Sequence, residues 1–478
     1  MEPGEDPIPL IPSSLSVEIH GAFLTFSCWT DTQNLVRRIK GMNASRRGRL
    51  ELYYERFGGR SGVLTLVDLD HSSNREAPRR GARLKYREVF RHALRRQFVD
   101  WKLVELSAEQ DLEHSLSPSF PRALLRKGNS AWAAIGAGPE ALDPDAVLSF
   151  GLIWLDYLRR RERQLGVEGL AIFLVSGSEA TTCHRVRHLD PHRACYRVFV
   201  HHSDGLEDAV DPRDYTNLNT RLEHCGPPAQ KPGEDWLASL ESIECVARRE
   251  HSDGSTSLSV RGLEFARAKD GQLFFGLDRR KQIATRAHLS EITELARGIV
   301  NMRSPVASDR TNPLYRLHPE AWLESQVRAN LPVLESTLRT QPVYGQVPQF
   351  AAGQRGVIDL LSVDDAGRLA VLELKASADI HLPLQALDYW MRVKWHLEQG
   401  DFARAGYFPG VPLSSRTPRL FLIAPALDFH PSNETVLGYL APDIQVERIG
   451  IGIEWRQELR VMFRSAPQKP WRSQSFGS

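Results

Sequence analysis

Three charged residues stand in two otherwise apolar runs of the segment "GVIDLLSVDDAGRLAVLELKA", residues 356 to 376: Asp359, Glu373 and Lys375. Leaving unpaired charge in a buried strand is costly, so the pattern calls for something that holds these groups together. Glu373 and Lys375 are two apart, which on a strand puts both on one face. With Asp359 near the facing end of the preceding strand, its carboxylate meets that of Glu373. Two carboxylates, the carbonyl of Leu374 and water make a hard oxygen site suited to Mg²⁺ or Mn²⁺. Lys375 then sits beside the ion without ligating it. Phosphodiester hydrolysis needs an aligned water, stabilisation of phosphorane-like charge and help for the leaving group, and a metal and a lysine cover these needs together. Glu324, on an upstream helix, either completes the metal shell or holds a water. Gln385, early in the following helix, either hydrogen-bonds substrate or orients Lys375. Tyr389, Arg392 and His396 lie 4, 7 and 11 residues beyond Gln385 on the same helical face and extend toward a phosphate backbone.

These residues must be positioned by an α/β unit. "HPEAWLESQVRANLPVLESTL" carries helix signals, with Pro332 limiting or restarting the helix. "VYGQVPQF", "GVIDLLSVD" and "RLAVLELKA" read as three successive strands, the last two joined by a turn at Asp365, Ala366 and Gly367. "LPLQALDYWMRVKWHLEQG" is an amphipathic helix with Pro383 in its first turn and Gly400 just past its end. "PRLFLIAPA" and "IQVERIGIGI" add strands to what reads as a mixed sheet flanked by helices. The unit is placed at 312–466, followed by a flexible tail at 467–478.

The strand with Asp359, the turn, the "ELK" strand and the Gln385 helix together resemble the PD-(D/E)xK nuclease superfamily, and within it the NucS-type endonuclease branch. Ile358 stands where the superfamily name has proline. The resemblance covers roughly 150 of the 478 residues. It implies a restriction-endonuclease-like fold and divalent-metal-dependent DNA cleavage, with Asp359, Glu373 and Lys375 as the core and Glu324 and Gln385 in support. A homodimer is compatible with it. The other class of reading is a non-catalytic DNA-binding or scaffold protein built on a retired nuclease fold.

The front of the chain, residues 1–235, reads as an α+β region with strands in "SVEIHGAFLTFSCW", "GRLELYYERFG" and "GVLTLVDLDH". A helix follows through about Gln97, on which Tyr86, Phe90 and Leu94 recur at helical spacing. "DAVLSFGLIWLDYLRRRERQ" reads as a buried helix and "VEGLAIFLVSG" as a core strand. This pair echoes "LQALDYWMRVKW" followed by "PRLFLIAPA". Either helix-strand patterns have converged, or the front half is a second, degenerate nuclease-like domain in which "AWAAIG" replaces the metal-binding strand. The acidic run with Glu105, Glu109, Asp111, Glu113 and His114 reads as a solvated helix. Cys183, His184, His188, His192 and Cys195 match no common tetrahedral zinc spacing. Residues 203 to 235 read as a surface excursion or hinge. The connector, 236–311, reads as a hairpin around a Lys-Asp-Gly turn and a helix.

Lys and Arg number 61 against 59 Asp and Glu, so net charge excludes little. Its distribution is more telling. Arg79, Arg80, Arg83, Lys85, Arg87, Arg91, Arg95 and Arg96 face one Glu between residues 79 and 97, a stripe able to track a phosphate backbone. Five scattered cysteines argue against a disulfide scaffold, and no run reaches the roughly 18 apolar residues of a membrane span. The expected address is the cytoplasm. No Walker-type or dinucleotide-type glycine motif is present, which argues against a built-in ATP motor.

Overall fold

The computed structural model describes residues 15–20, 23–29, 34–46, 49–55, 61–67, 76–202, 205–225, 234–251, 254–277, 281–307, 309–351 and 354–466. The tail assigned to 467–478 lies outside them. The described residues form four sheets, two antiparallel and two mixed, with helices between and around them. Strands Leu15–His20, Phe23–Trp29, Asn34–Arg46, Arg49–Glu55 and Ser61–Val67 pair antiparallel in sequence order, around Phe26, Ile39, Tyr54 and Leu64. One of these strands, Asn34–Arg46, was not expected. Its arginines break the apolar alternation, and two register shifts interrupt its pairing.

The two mixed sheets repeat one order of elements. In the front copy, helix Glu76–Gln97 leads into strands Lys102–Ser107, Arg122–Lys127 and Ser130–Gly136, each antiparallel to the next. Helix Val147–Arg161 crosses over to strand Gly166–Val175, parallel to Ser130–Gly136. Helix Ala180–Val186 crosses to Cys195–His201, again parallel, and Glu207–Val210 closes the sheet antiparallel. In the back copy, helix Pro319–Ala329 leads into Tyr344–Ala351, Gln354–Val363 and Leu369–Leu374, also antiparallel. Helix Leu382–Glu398, strand Arg419–Pro425, helix Ser432–Leu437, strand Val446–Ile451 and antiparallel Val461–Ser465 follow with the same pairings. The back sheet gains a seventh strand, Thr220–Leu222, which pairs with Gln349–Ala351. Part of the region read as a surface excursion is therefore sheet, because an open edge offers its short polar sequence the backbone partners it needs. The acidic run is not a helix: its Glu105 end is strand, and Asp111 forms a β-bridge with Leu116.

Strand alternation divides each sheet between two cores. In the front sheet, Ala123, Leu125, Trp132, Ala134 and Phe173 pack on Tyr86, Phe90 and Leu94 of the basic helix. In the back sheet, Leu360, Ala370, Leu372 and Leu374 pack on Trp322, Leu323 and Val327. The opposite faces of both sheets, with Leu124, Ala133 and Ile135 from one and Leu361, Leu369 and Val371 from the other, share one core. Helices Val147–Arg161 and Leu382–Glu398 fill it with Trp154 and Trp390. The chain pairs its two copies about an approximate two-fold. Leu189 bridges Leu440 antiparallel, flanked by Asp190 N–H to Tyr439 O and Ala441 N–H to His188 O, both 2.8 Å.

Across this junction Arg185 forms a fork with Asp388, Nε to Oδ1 at 2.9 Å and Nη2 to Oδ2 at 2.7 Å, with both side chains largely buried. Truncating Asp388 removes the main counter-charge of buried Arg185, leaving it only the weaker influence of Asp145 and Asp143. Asp388→Ala is expected to destabilise the protein by about 3–5 kcal/mol, and Arg185→Met/Asp388→Leu by much less. Urea unfolding of the single and double variants checks this; equal losses would show that packing, not charge, holds the junction.

The connector is a second antiparallel sheet of five strands, Val246–Glu250 through Gln282–Ile283, backed by helices Glu234–Glu241 and Leu289–Met302. The single hairpin expected here is part of a meander of four successive antiparallel pairs. Besides the Asp270-Gly271 turn, Arg261 and Gly262 both have positive φ and turn the chain between Val260 and Leu263. Gly262 is required for a further reason: a Cβ there would collide with the carbonyl of Ala321 in helix Pro319–Ala329. Arg303, fully buried, ties the same junction by donating to the carbonyls of Arg261, Leu314 and Leu317. The connector thus fixes the helix that carries Glu320 and Glu324.

Candidate active site

Strands Gln354–Val363 and Leu369–Leu374 pair from Val363↔Leu369 to Leu360↔Leu372, and one further step would set Asp359 opposite Glu373. The ladder stops there and the strands part. Asp359 Oδ2 accepts the Leu374 N–H at 2.8 Å, a bond that a neighbouring carbonyl would otherwise take. The Leu374 carbonyl, on the same side of its strand as its N–H, points into this fork. On the other side, the Lys375 N–H donates to Ile423 O at 3.0 Å, so the site grows from the continuous edge of the parallel pair.

Asp359, Glu373 and Lys375 share the sheet face that meets helix Leu382–Glu398, in step with Leu361, Leu369 and Val371. Glu373 is 3% exposed, and its Oε2 has no hydrogen-bond partner among the described residues. Burial holds its carboxyl well above the usual range, and the charge of Asp359 adds to the effect. Burial likewise pushes Asp359 up to about 7, reinforced by Glu324 and Glu320 and opposed by the Leu374 N–H and Lys375. Both carboxyls thus resist ionisation chiefly through burial, a penalty that an opposing charge would relieve.

Lys375 lies 3.5 Å from Asp379 Oδ2 and 3.9 Å from Glu320 Oε1. Burial opposes its charge, but Glu320, Asp379, Glu373 and Asp359 more than offset this and raise its pKa. The surrounding carboxylates therefore hold it as an ammonium. Asp379 went unnoticed in the sequence, where its only mark is the spacing of four from Lys375. Glu320 sits one helical turn before Glu324.

Glu324 is buried but turned to other partners. Its Oε1 takes Arg249, from the connector sheet, and Arg328 Nη2 at 3.1 Å. Arg328 also donates to Val343 O at 2.7 Å. Gly345 on the neighbouring strand leaves the space that the ends of the Arg328 and Glu324 side chains occupy. Glu324 is near enough to raise the Asp359 pKa, yet it is held by two guanidiniums. Gln385 is half-buried in the first turn of its helix, one turn before Tyr389. Burial raises the Tyr389 hydroxyl, and the charges of Glu373 and Asp359 raise it further. Arg392 is half-buried. His396 does not extend toward a phosphate backbone: it is 1% exposed, bonded to Asp401 Oδ2 at 2.6 Å and Thr220 Oγ1 at 3.1 Å. The added strand Thr220–Leu222 covers it.

Among the described residues, no group of three or more His, Cys, Asp or Glu side chains is arranged to hold a metal ion. The oxygens available to a cation are those of Asp359 and Glu373 with the Leu374 carbonyl.

The basic stripe lies on helix Glu76–Gln97, on the outer face of the front sheet. That sheet and the shared helices separate it from Asp359 and Glu373. The side chains of Arg79 and Arg80 lie outside the described residues. Arg87 and Arg91 pair with Glu88, and Arg96 with buried Glu207 and the Gly205 carbonyl. Arg83 is half-buried, while Lys85 and Arg95 face solvent. No helix among the described residues is long and apolar enough to cross a membrane.

No protein-family model and no curated protein sequence matches the chain.

Proposed function

We propose that the protein is a divalent-metal-dependent endonuclease that hydrolyses DNA phosphodiester bonds, working from a restriction-endonuclease-like fold in its C-terminal unit. The observation that carries this reading is the pair of ionisation-resistant carboxyls, Glu373 buried and Asp359 half-buried, at a forked strand end, with one oxygen of Glu373 unpartnered and an ammonium alongside. A small divalent cation fits that need: it neutralises both charges at once and takes hard oxygen donors. Asp359, Glu373 and the Leu374 carbonyl would hold Mg²⁺ or Mn²⁺, and Glu324 would have to leave Arg249 or Arg328 to join them.

When bound, the ion supplies Lewis-acid stabilisation of charge on the phosphate. The residues do the rest. Asp359 is oriented by the Leu374 N–H, which its Oδ2 accepts. Lys375, held as an ammonium, donates to a phosphate oxygen or to the attacking water and stabilises charge as it develops. Tyr389, held protonated, is a second donor at the same wall. Gln385 stands one turn away on that helix to meet substrate or Lys375.

The test is cleavage of linear, circular, branched and single-stranded DNA by purified protein with Mg²⁺, Mn²⁺ or chelator. Lys375→Ala is expected to lower cleavage by roughly 10²-fold or more while Mn²⁺ binding stays nearly intact. Unchanged cutting would remove Lys375 from the chemistry. A second reading, a non-catalytic DNA-binding or scaffold protein, is favoured by the engagement of Glu324 with two arginines. It requires DNA binding in chelator that is indifferent to Glu373→Ala, with no cutting by the wild type.

A further inference from the structure

We infer that this chain carries one cutting site in a frame built for two, so that each engagement of duplex DNA hydrolyses one strand and leaves a nick. The inference rests on the nuclease reading and deepens it by fixing the product.

The two copies correspond strand by strand in register. Glu373 lies one residue before the end of its strand and pairs with Leu422, three residues before the end of the parallel neighbour Arg419–Pro425. In the front copy, Ile135 lies one residue before the end of Ser130–Gly136 and pairs with Ile172, three residues before the end of Gly166–Val175. The next strand agrees, with Leu422 opposite Arg448 and Ile172 opposite Val198, each three residues from its strand's end. A hydrogen bond repeats as well: Lys375 N–H donates to Ile423 O at 3.0 Å, and Ala137 N–H to Phe173 O at 2.9 Å. Ile135 therefore stands where Glu373 does, and Ala137 where Lys375 does. The antiparallel partner of Ile135 is Arg122, in the place of Asp359.

The substitutions remove the chemistry one group at a time. Ile135 and Ala137 offer no oxygen or ammonium. Arg122 puts a cation where the carboxylate would be; it is 5% exposed, donates to Glu109 O at 2.8 Å and lies 5.5 Å from the Trp154 ring centroid. The carboxylates whose charges reach it are Asp111, Glu105 and Glu109. Of these Asp111 is paired with His114 and Glu105 with Arg161. A fixed guanidinium in this position repels a divalent cation, while the apolar replacements preserve the packing of the shared core. The front copy keeps the frame and has no means of cutting.

In the live copy, hydrolysis forms one bond from water oxygen to phosphorus, breaks one ester P–O bond and gives the departing oxygen a proton. The opposite strand meets no second site on the same chain.

Supercoiled plasmid in excess over protein, incubated with Mg²⁺ or Mn²⁺, reads this directly. Open circles are expected to accumulate first, with linear DNA appearing only later from second hits on nicked molecules. Linear DNA as the first product would overturn the inference. Mn²⁺ binding followed by electron paramagnetic resonance provides the second arm: all tight binding is expected to disappear in Glu373→Ala. A tight site surviving in that variant would place metal elsewhere and overturn it too. Absence of cutting alongside Glu373-dependent Mn²⁺ binding would reject the nuclease reading and leave the single-site assignment standing. Absence of both would reject the two together.

Discussion

Glu373→Ala protein is expected to cleave DNA on the order of 10³-fold more slowly than wild type, at every Mg²⁺ or Mn²⁺ concentration tried. Glu373 is the more deeply buried of the two carboxyls, and its unpartnered Oε2 is the strongest single sign that a cation belongs there. The variant loses no hydrogen bond by way of that oxygen, so folding is expected to survive, as circular dichroism and the unfolding midpoint would show. Asp359→Ala should cost as much activity but also strip the acceptor from the Leu374 N–H. Asp359→Asn keeps that acceptor, since its side-chain carbonyl can take the same bond, and separates charge from geometry. Retention of more than about a tenth of the activity in Glu373→Ala would remove the pair from the mechanism.

The second large effect is on stability against pH in the absence of metal. The Asp359 carboxyl is raised in the folded protein to about 7 from an ordinary value of 3.8. A raised carboxyl favours the folded state only while protonated. The contribution is complete below about pH 4 and is lost as pH rises through about 7. The shift corresponds to on the order of 4 kcal/mol between those limits, and Glu373 acts in the same direction. In chelator, Asp359→Asn should therefore match wild type near pH 4 and exceed it near pH 8. A difference between the two proteins that does not change with pH would refute the shift. Adding Mn²⁺ at pH 8 should stabilise wild type and leave the variant behind. Below pH 7 metal binding should release protons, which calorimetry in buffers of different ionisation heat detects.

Much of this site could be read in the sequence, because Asp359, Glu373 and Lys375 are charges in strands that alternation and apolar content mark as buried. The helix bounds were legible for similar reasons: Pro383 and Gly400 bracket Leu382–Glu398 closely. The partners of Glu324 were not legible. Arg249 reaches it from a different sheet, 75 residues earlier, and no local periodicity encodes such a meeting. His396 lost its expected exposure to Thr220, whose strand is three residues long and too polar to announce itself. The doubling of the fold had one local sign, Leu155-Asp156-Tyr157 echoing Leu387-Asp388-Tyr389. The rest of that repeat lives in strand order and register, which different side chains satisfy equally well, provided they alternate between the two cores.

A two-fold pair assembled from identical subunits must change in both places whenever it changes in one, so a residue lost from one active site is lost from its mate. Here the two halves of the pair share a core formed within a single chain. Arg122 can therefore diverge from Asp359, and Ile135 from Glu373, with no change at the counterpart. Under the proposed function, the arrangement would free one half from the demands of chemistry while the other continues to rely on it as scaffold.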